Sequence, residues 1–137
     1  MASLRDVSTR CAVLACLLPL GCAADPTGPL APGIWGGTGI SFDVSPDSAV
    51  VEFDCAHGIV RGPISLRDGQ FRRAGDFILE RGGPIREGEP PDLRAAVYTG
   101  VISGGTLEIT IQVEGIAQDL GPYVVRRGAA PVIRRCL

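Results

Sequence analysis

The sequence contains no lysine, so all 13 of its basic residues are arginine, and 15 acidic residues leave a formal net charge of −2. A chain without a basic excess has no electrostatic footprint for nucleic acid, and we expect no nucleic-acid partner. Outside the N-terminus, no region carries apolar residues at sustained helical spacing. With 19 glycines and 11 prolines, the composition instead favours short strands separated by turns in a single domain.

Several motifs of catalysis and metal binding are also missing. No C-x-x-C spacing is present for zinc, and no G-x-S-x-G elbow is present for a serine hydrolase. Residues 36–39 are glycine-rich, but they lack the following lysine and helix start of a phosphate-binding loop. We therefore expect a protein that is not an enzyme and that holds no cofactor and no metal.

The single histidine, His57, follows Asp54 closely enough for the two side chains to pair across a turn. A serine from elsewhere could complete a triad, although the simpler interpretation is a hydrogen-bonded turn histidine. The candidate serines are Ser41, Ser45, Ser48, Ser65 and Ser103.

Acidic side chains offer further alternatives. Glu52 and Asp54 share a strand face, as the paired carboxylates of a glycosidase do, but they also fit the solvent side of a strand. Asp43 and Asp47 could bind calcium weakly or simply cap a turn.

Residues 1–21 have the composition of a secretory signal peptide. Arg5 and Arg10 precede an apolar run that is shorter than the roughly 20 residues of a membrane-spanning helix. The end of this run, residues 20–22, resembles the lipobox of bacterial lipoproteins, although Pro19 stands where that family usually has leucine. The resemblance implies that Cys22 is lipidated, that residues 22–32 are the lipidated cysteine and a flexible tether, and that the domain is residues 33–137. It also implies attachment to a membrane of the bacterial cell envelope, facing the periplasm or the exterior.

Five cysteines are present, and their positions support this interpretation. Two of them lie in the signal, and Cys22 is used for the lipid, which leaves Cys55 and Cys136. In an oxidising compartment this pair is expected to form a disulfide, and the alternative is two unpaired buried thiols.

From residue 33 onward the pattern predicts about eight short strands. Residues 107–113 show the clearest alternation of apolar and polar side chains, and residues 49–55 show another. Residues 33–44 are expected to form one bent first strand, with Ile34, Thr38, Ile40, Phe42 and Val44 on one face. Residues 59–66 are expected to form a strand broken at Gly62 and Pro63, and residues 132–137 the last strand. Residues 82–92 are predicted to be a long exposed loop, and their charged side chains either recognise a partner or remain solvated.

Eight consecutive strands avoid exposed edges by closing into an antiparallel barrel, and a two-sheet β-sandwich is the alternative. Residues 33–35, Gly-Ile-Trp, resemble the G-x-W of lipocalins and related barrels. That resemblance implies a small lipocalin-like barrel in which Trp35 packs under an arginine from a late strand. The candidates for this arginine are Arg126, Arg127, Arg134 and Arg135. Trp35 and Cys136 are also similar in placement to those of small bacterial lipoproteins, and no activity follows from that likeness.

Two functions remain after these exclusions. In the first, the barrel binds a small apolar or amphipathic ligand at its mouth, in a cavity kept shallow by short strands. In the second, the anchored barrel is a structural or interaction protein that presents its loops to another envelope component. An open interior favours ligand binding, whereas an interior filled by side chains favours interaction.

Overall fold

The structure, a computed structural model, describes residues 25–137 as β-strands joined by turns and loops. The expected signal peptide, residues 1–21, and the expected lipidation site, Cys22, lie outside the described residues. The described part of the chain has no helix that is long and apolar enough to cross a membrane. The strands are β1 (Gly28–Pro29), β2 (Gly33–Gly37), β3 (Ile40–Val44), β4 (Ser48–Phe53), β5 (Ala56–Arg61), β6 (Ser65–Leu66), β7 (Gln70–Leu79), β8 (Asp92–Ser103), β9 (Thr106–Val113) and β10 (Leu120–Arg127).

Eight of these strands form one closed barrel in the order β10, β2, β3, β4, β5, β7, β8, β9. All neighbouring pairs are antiparallel, and the barrel closes where β10 pairs with β2. β1 and β6 form a separate two-stranded sheet. The predicted antiparallel barrel is therefore confirmed over the β-sandwich.

The expected first strand, residues 33–44, is a hairpin instead. β2 ends at Gly37 and β3 begins at Ile40, and Gly39 between them has a φ of 74°, which a tight turn needs and most side chains avoid. The turn also decides which side chains face the core. Trp35 is only 4% exposed, whereas Ile34 is 47% exposed, so the expectation that Ile34 shares a face with the buried Ile40 and Phe42 is wrong.

The expected last strand, residues 132–137, is not a strand. Because β10 already pairs with β2, the wall has no free edge for another strand to join. The chain instead turns back along the outside of β2 as a tail, residues 128–137. Val132 makes one isolated parallel bridge to Thr38, and the backbone around Ala129 lies so close to Gly36 that a Cβ at Gly36 would collide with it.

The segment before β2 and the interruption after β5 meet at one end of the barrel. β5 stops at Arg61, and the chain then leaves the wall so that β6 pairs with β1. Leu30 and Ile64 are both buried there, and the Leu30 amide donates to the Ile64 carbonyl at 2.9 Å. From Asp25 onward, the segment expected to be a flexible tether therefore packs against the barrel.

Side chains fill the barrel interior, and aromatic rings lie over inward-facing glycines. Phe71 is directly opposite Gly100 in the ladder, and a Cβ at Gly100 would overlap the Phe71 ring. The Tyr98 ring covers Gly58 and Gly75 in the same way. Branched aliphatic side chains complete a continuous core whose members are almost fully buried: Ile40, Val51, Val60, Leu107, Ile109, Ile111 and Val125.

Because neighbouring strands are antiparallel, successive turns and loops lie at opposite ends of the barrel. We call one the distal end, and it carries the turns at 38–39 and 54–55 and the loops 80–91 and 114–119. We call the other the proximal end, and it carries the turns at 45–47 and 104–105, the segment 62–69 with β6, and the incoming residues 25–32. The distal end also receives residues 132–137 of the tail, because Cys136 is bonded to Cys55 there.

Candidate functional site

A groove of about 540 Å³ lies at the distal end, between the start of β5, the end of β7 and the loop 80–91. Its walls are largely apolar, and Ile85, the one branched apolar side chain of the loop, is 92% exposed. Polar and charged groups border these walls. The lining residues are His57, Leu79, Glu80, Arg81, Gly82, Gly83, Pro84, Ile85, Glu89, Pro90, Pro91 and Asp92.

Two side-chain pairs lie at the border of the groove. His57 Nδ1 lies 2.9 Å from Glu80 Oε1, at the end of β7. Within the loop, Arg81 Nη1 donates to Glu89 Oε1 at 2.7 Å, which joins the two arms of the loop. Both pairs are exposed, and exposed pairs contribute little stability, so we expect them to set the shape of the loop more than the stability of the fold.

A third pair lies where β8 begins. The Arg94 guanidinium donates to the Asp92 carboxylate, with Nε 3.1 Å from Oδ1. This hydrogen bond holds the pKa of Asp92 below its ordinary value and raises the pKa of Arg94. β8 therefore starts beside the groove with a charged pair that stays ionised at neutral pH.

The predicted disulfide between Cys55 and Cys136 is present, with a Cα–Cα distance of 5.0 Å. Cys55 occupies the turn between β4 and β5 with a φ of 61°, a conformation that a residue with a side chain rarely adopts. The Arg134 amide donates to Asp54 Oδ1 at 2.5 Å, so two adjacent turn residues hold the tail. The tail ends beside the groove, because the Leu137 carbonyl lies against Gly82.

The catalytic arrangement considered from sequence is not assembled by the described residues. His57 lies in β5 instead of in a turn, and it bonds Glu80, while the nearby Asp54 bonds the Arg134 amide. Ser41 is two strands away from His57 along one row of the wall, about 10 Å at the usual strand spacing. The other candidate serines are farther away, at the proximal end: Ser45, Ser48, Ser65 and Ser103.

The acidic candidates also remain separate. Glu52 is exposed on β4, Asp43 is exposed on β3, and Asp47 lies in the turn between them. Among residues 25–137, no group of three or more histidine, cysteine, aspartate or glutamate side chains could hold a metal ion. The glycines at 36–39 serve the β2–β3 hairpin and the close approach of the tail.

Of the four arginines considered for Trp35, Arg127 lies directly opposite it in the β2–β10 ladder. Its Nε donates to the Pro32 carbonyl at 2.9 Å, while the Trp35 indole donates to the Ala31 carbonyl at 2.9 Å. Arg126 faces outward beside Gly36, and Arg134 lies in the tail at the distal end, as does Arg135.

Sequence reasoning identified the charged loop but not the groove. The missed residues are apolar ones, Leu79 and Ile85, and the prolines around them. The sequence did contain one signal for the groove. Ile85 is a single branched apolar residue among glycines, prolines and charged residues, and such a side chain has no core in which to be buried. Comparisons with protein families, with curated proteins and with solved structures find no match for this chain.

Proposed function

We propose that this chain is a lipid-anchored protein of the bacterial cell envelope that acts without catalysis and binds another envelope component at its distal end. The single observation that carries this proposal is the filled interior of the barrel, in which large side chains such as Tyr98 and Phe42 are fully buried. A ligand inside the barrel would have to displace them, at a cost of several kcal/mol for each aromatic side chain moved. Recognition is therefore assigned to the outer surface.

Within that surface, the distal groove is the best place for a partner. It combines an apolar wall with a charged border, the usual composition of a protein interface with a dry centre and a polar rim. Ile85 is the natural anchor because its side chain is almost fully exposed, yet it is large enough to fill a pocket on another protein. A small amphipathic molecule, the other ligand class considered from sequence, would have to use the same groove.

The anchor rests on the resemblance of residues 20–22 to a lipobox and on the presence of one disulfide in the remaining chain. The likeness to lipocalin-type barrels rests on the G-x-W at residues 33–35 and on Arg127 opposite Trp35. This barrel would be a reduced member of that class, with a packed core in place of a ligand cup.

Site-specific crosslinking in intact cells tests the proposal. A photoreactive amino acid replaces Ile85 at the groove, and a matched control replaces Val50, which is 49% exposed on the barrel wall. We expect one discrete adduct from position 85 and none from position 50, and weaker binding of the purified partner to Ile85→Asp than to wild type. Adducts that form equally at both positions, or a partner that binds Ile85→Asp as well as wild type, would refute a recognition site in this groove.

A further inference from the structure

The incoming chain is fixed to the proximal end up to the first described residue. The Gly69 amide donates to the Pro26 carbonyl at 2.8 Å, and the Asp68 amide donates to the Thr27 hydroxyl at 3.3 Å. Asp25 itself packs beside Gly69, where a Cβ would meet the aspartate side chain at 3.2 Å. The chain from Asp25 onward is therefore in contact with the barrel and contains no free linker.

The reach of the anchor follows from this contact. Cys22 precedes Asp25 by three residues, and an extended chain advances at most about 3.6 Å for each residue. A lipid on Cys22 would thus be within roughly 11 Å of the proximal end. The anchor would therefore hold the proximal end close to the membrane surface.

Charge is distributed unequally between the two ends. The distal half carries eight carboxylates and five arginines: Glu52, Asp54, Glu80, Glu87, Glu89, Asp92, Glu114 and Asp119 against Arg81, Arg86, Arg94, Arg134 and Arg135. The proximal half carries equal numbers: Asp25, Asp43, Asp47, Asp68, Asp76 and Glu108 against Arg61, Arg67, Arg72, Arg73, Arg126 and Arg127. The whole net negative charge of the described residues therefore lies at the distal half.

Three proximal arginines are available to an external anion. Arg67, Arg72 and Arg126 are exposed, and none of them forms an ion pair with another described residue. Arg67 precedes β7 at the tip of the proximal end, while Arg126 lies on β10 opposite the first residue of β9. Arginine binds phosphate through a planar fork of donors, so these side chains suit lipid headgroups.

We propose that the proximal end rests on the surface of an anionic lipid bilayer, with Arg67, Arg72 and Arg126 against the headgroups and the groove at the distal end turned away from the membrane. This inference rests on the proposed anchor at Cys22 and adds the orientation of the barrel to it. The proximal half carries no net charge, so an anionic surface favours this orientation mainly by repelling the acidic distal half, while the exposed proximal arginines contact individual headgroups. The fixed segment 25–32 leaves the barrel little freedom to turn over.

Hydrogen–deuterium exchange on the full-length lipidated protein tests the orientation. The protein is placed in vesicles of phosphatidylcholine with phosphatidylglycerol, in vesicles of phosphatidylcholine alone, and in detergent. We expect exchange in the turns at 45–47, 62–65 and 103–106 to slow several-fold in the anionic vesicles relative to detergent, and by less in phosphatidylcholine alone. Exchange in the loop 80–91 should be unchanged throughout.

A matched pair of variants separates charge from simple proximity. Arg67→Gln with Arg126→Gln removes proximal charge, and Arg86→Gln with Arg135→Gln removes the same number of exposed arginines from the distal half. Only the first variant should lose the additional protection that anionic vesicles give, while both should still float with the vesicles.

The results distinguish a failure of the proposed orientation from a failure of the proposed lipid anchor. If the wild-type protein floats with vesicles but its loop 80–91 is protected, or if both ends are equally protected, the orientation is refuted and the anchor stands. If wild type does not float, or floats no better than Cys22→Ser, the anchor fails and the orientation fails with it.

Discussion

Tyr98 shows how a polar group is used inside an otherwise apolar barrel. Its hydroxyl is buried and donates to the backbone carbonyl of Asp76 at 2.7 Å, from β8 to the neighbouring strand β7. Burial raises the pKa of Tyr98, and the nearby Asp76 carboxylate raises it further. The folded protein therefore keeps this phenol neutral at a pH where the unfolded chain, with an ordinary tyrosine pKa of about 10, begins to ionise.

This shift predicts an alkaline loss of stability. Because the folded-state pKa is above the unfolded one, the contribution of Tyr98 is complete below about pH 10 and declines as the pH rises above that value. Tyr98→Phe should cost about 1 to 3 kcal/mol at neutral pH, since the Asp76 carbonyl loses its donor, and should make the protein less sensitive to alkali. Urea unfolding of both proteins on each side of pH 10 measures this. An equally steep alkaline loss in the variant would contradict the assignment.

The pairing of Phe71 with Gly100 is a second contact that a single residue can test. A Cβ at Gly100 would overlap the Phe71 ring, so Gly100→Ala should cost about 1 to 3 kcal/mol through overpacking. In a Phe71→Leu background the smaller side chain leaves room, and the cost of Gly100→Ala should shrink. A double-mutant cycle in urea measures the coupling between the two substitutions. If their costs in unfolding free energy are additive, the packing of Phe71 on Gly100 is refuted.

At the scale of elements, the tail is held to the barrel by a disulfide that spans 81 residues. A loop of this length is expected to contribute about 4 to 5 kcal/mol by restricting the unfolded chain. Cys55 itself has a left-handed conformation in the β4–β5 turn, which costs a residue with a side chain roughly 1 to 2 kcal/mol.

These two effects can be separated with two variants. Cys136→Ser loses the bridge but keeps the strained turn, whereas Cys55→Gly loses the bridge and relieves the turn. We expect both to be less stable than wild type, with Cys55→Gly the more stable of the two by about 1 kcal/mol. Denaturant unfolding measures the difference, and the opposite order of stability would show that the turn is not strained by Cys55.

The elements that could be predicted are those whose signal is local. β9 was predicted from its alternation, and the disulfide from the two cysteines that remain outside the expected signal peptide and lipidation site. The β2–β3 hairpin was missed because Thr38 and Gly39 continue the alternation of the strands around them, so the turn is hidden in the pattern. The tail was mistaken for a strand because closure of β10 onto β2 is a long-range property, and only closure removes the edge that a last strand would need.

The site was predictable only in part for the same reason. The charged loop was visible in the sequence, but the pairing of His57 with Glu80 joins β5 to the end of β7 and depends on the register between these strands. A histidine two residues after a cysteine suggested a turn, whereas the turn itself is at Asp54 and Cys55.

At the scale of the whole molecule, the chain is a packed barrel with different chemistry at its two ends. The proximal end receives the N-terminal segment and carries unpaired arginines, and the distal end carries the groove, the tail and the net negative charge. We assigned function to the outer surface because side chains fill the interior. Whether the interior excludes ligands can be tested on the whole protein.

Native mass spectrometry of the oxidised protein, compared with the denatured and reduced chain, is the most direct test. A filled interior predicts that no small molecule stays bound in the native spectrum, and the bridge between Cys55 and Cys136 predicts an oxidised mass two hydrogens below the reduced form. A small molecule that stays bound in the native spectrum of both wild type and Ile85→Asp would place a ligand inside the barrel, and would contradict a function confined to its outer surface.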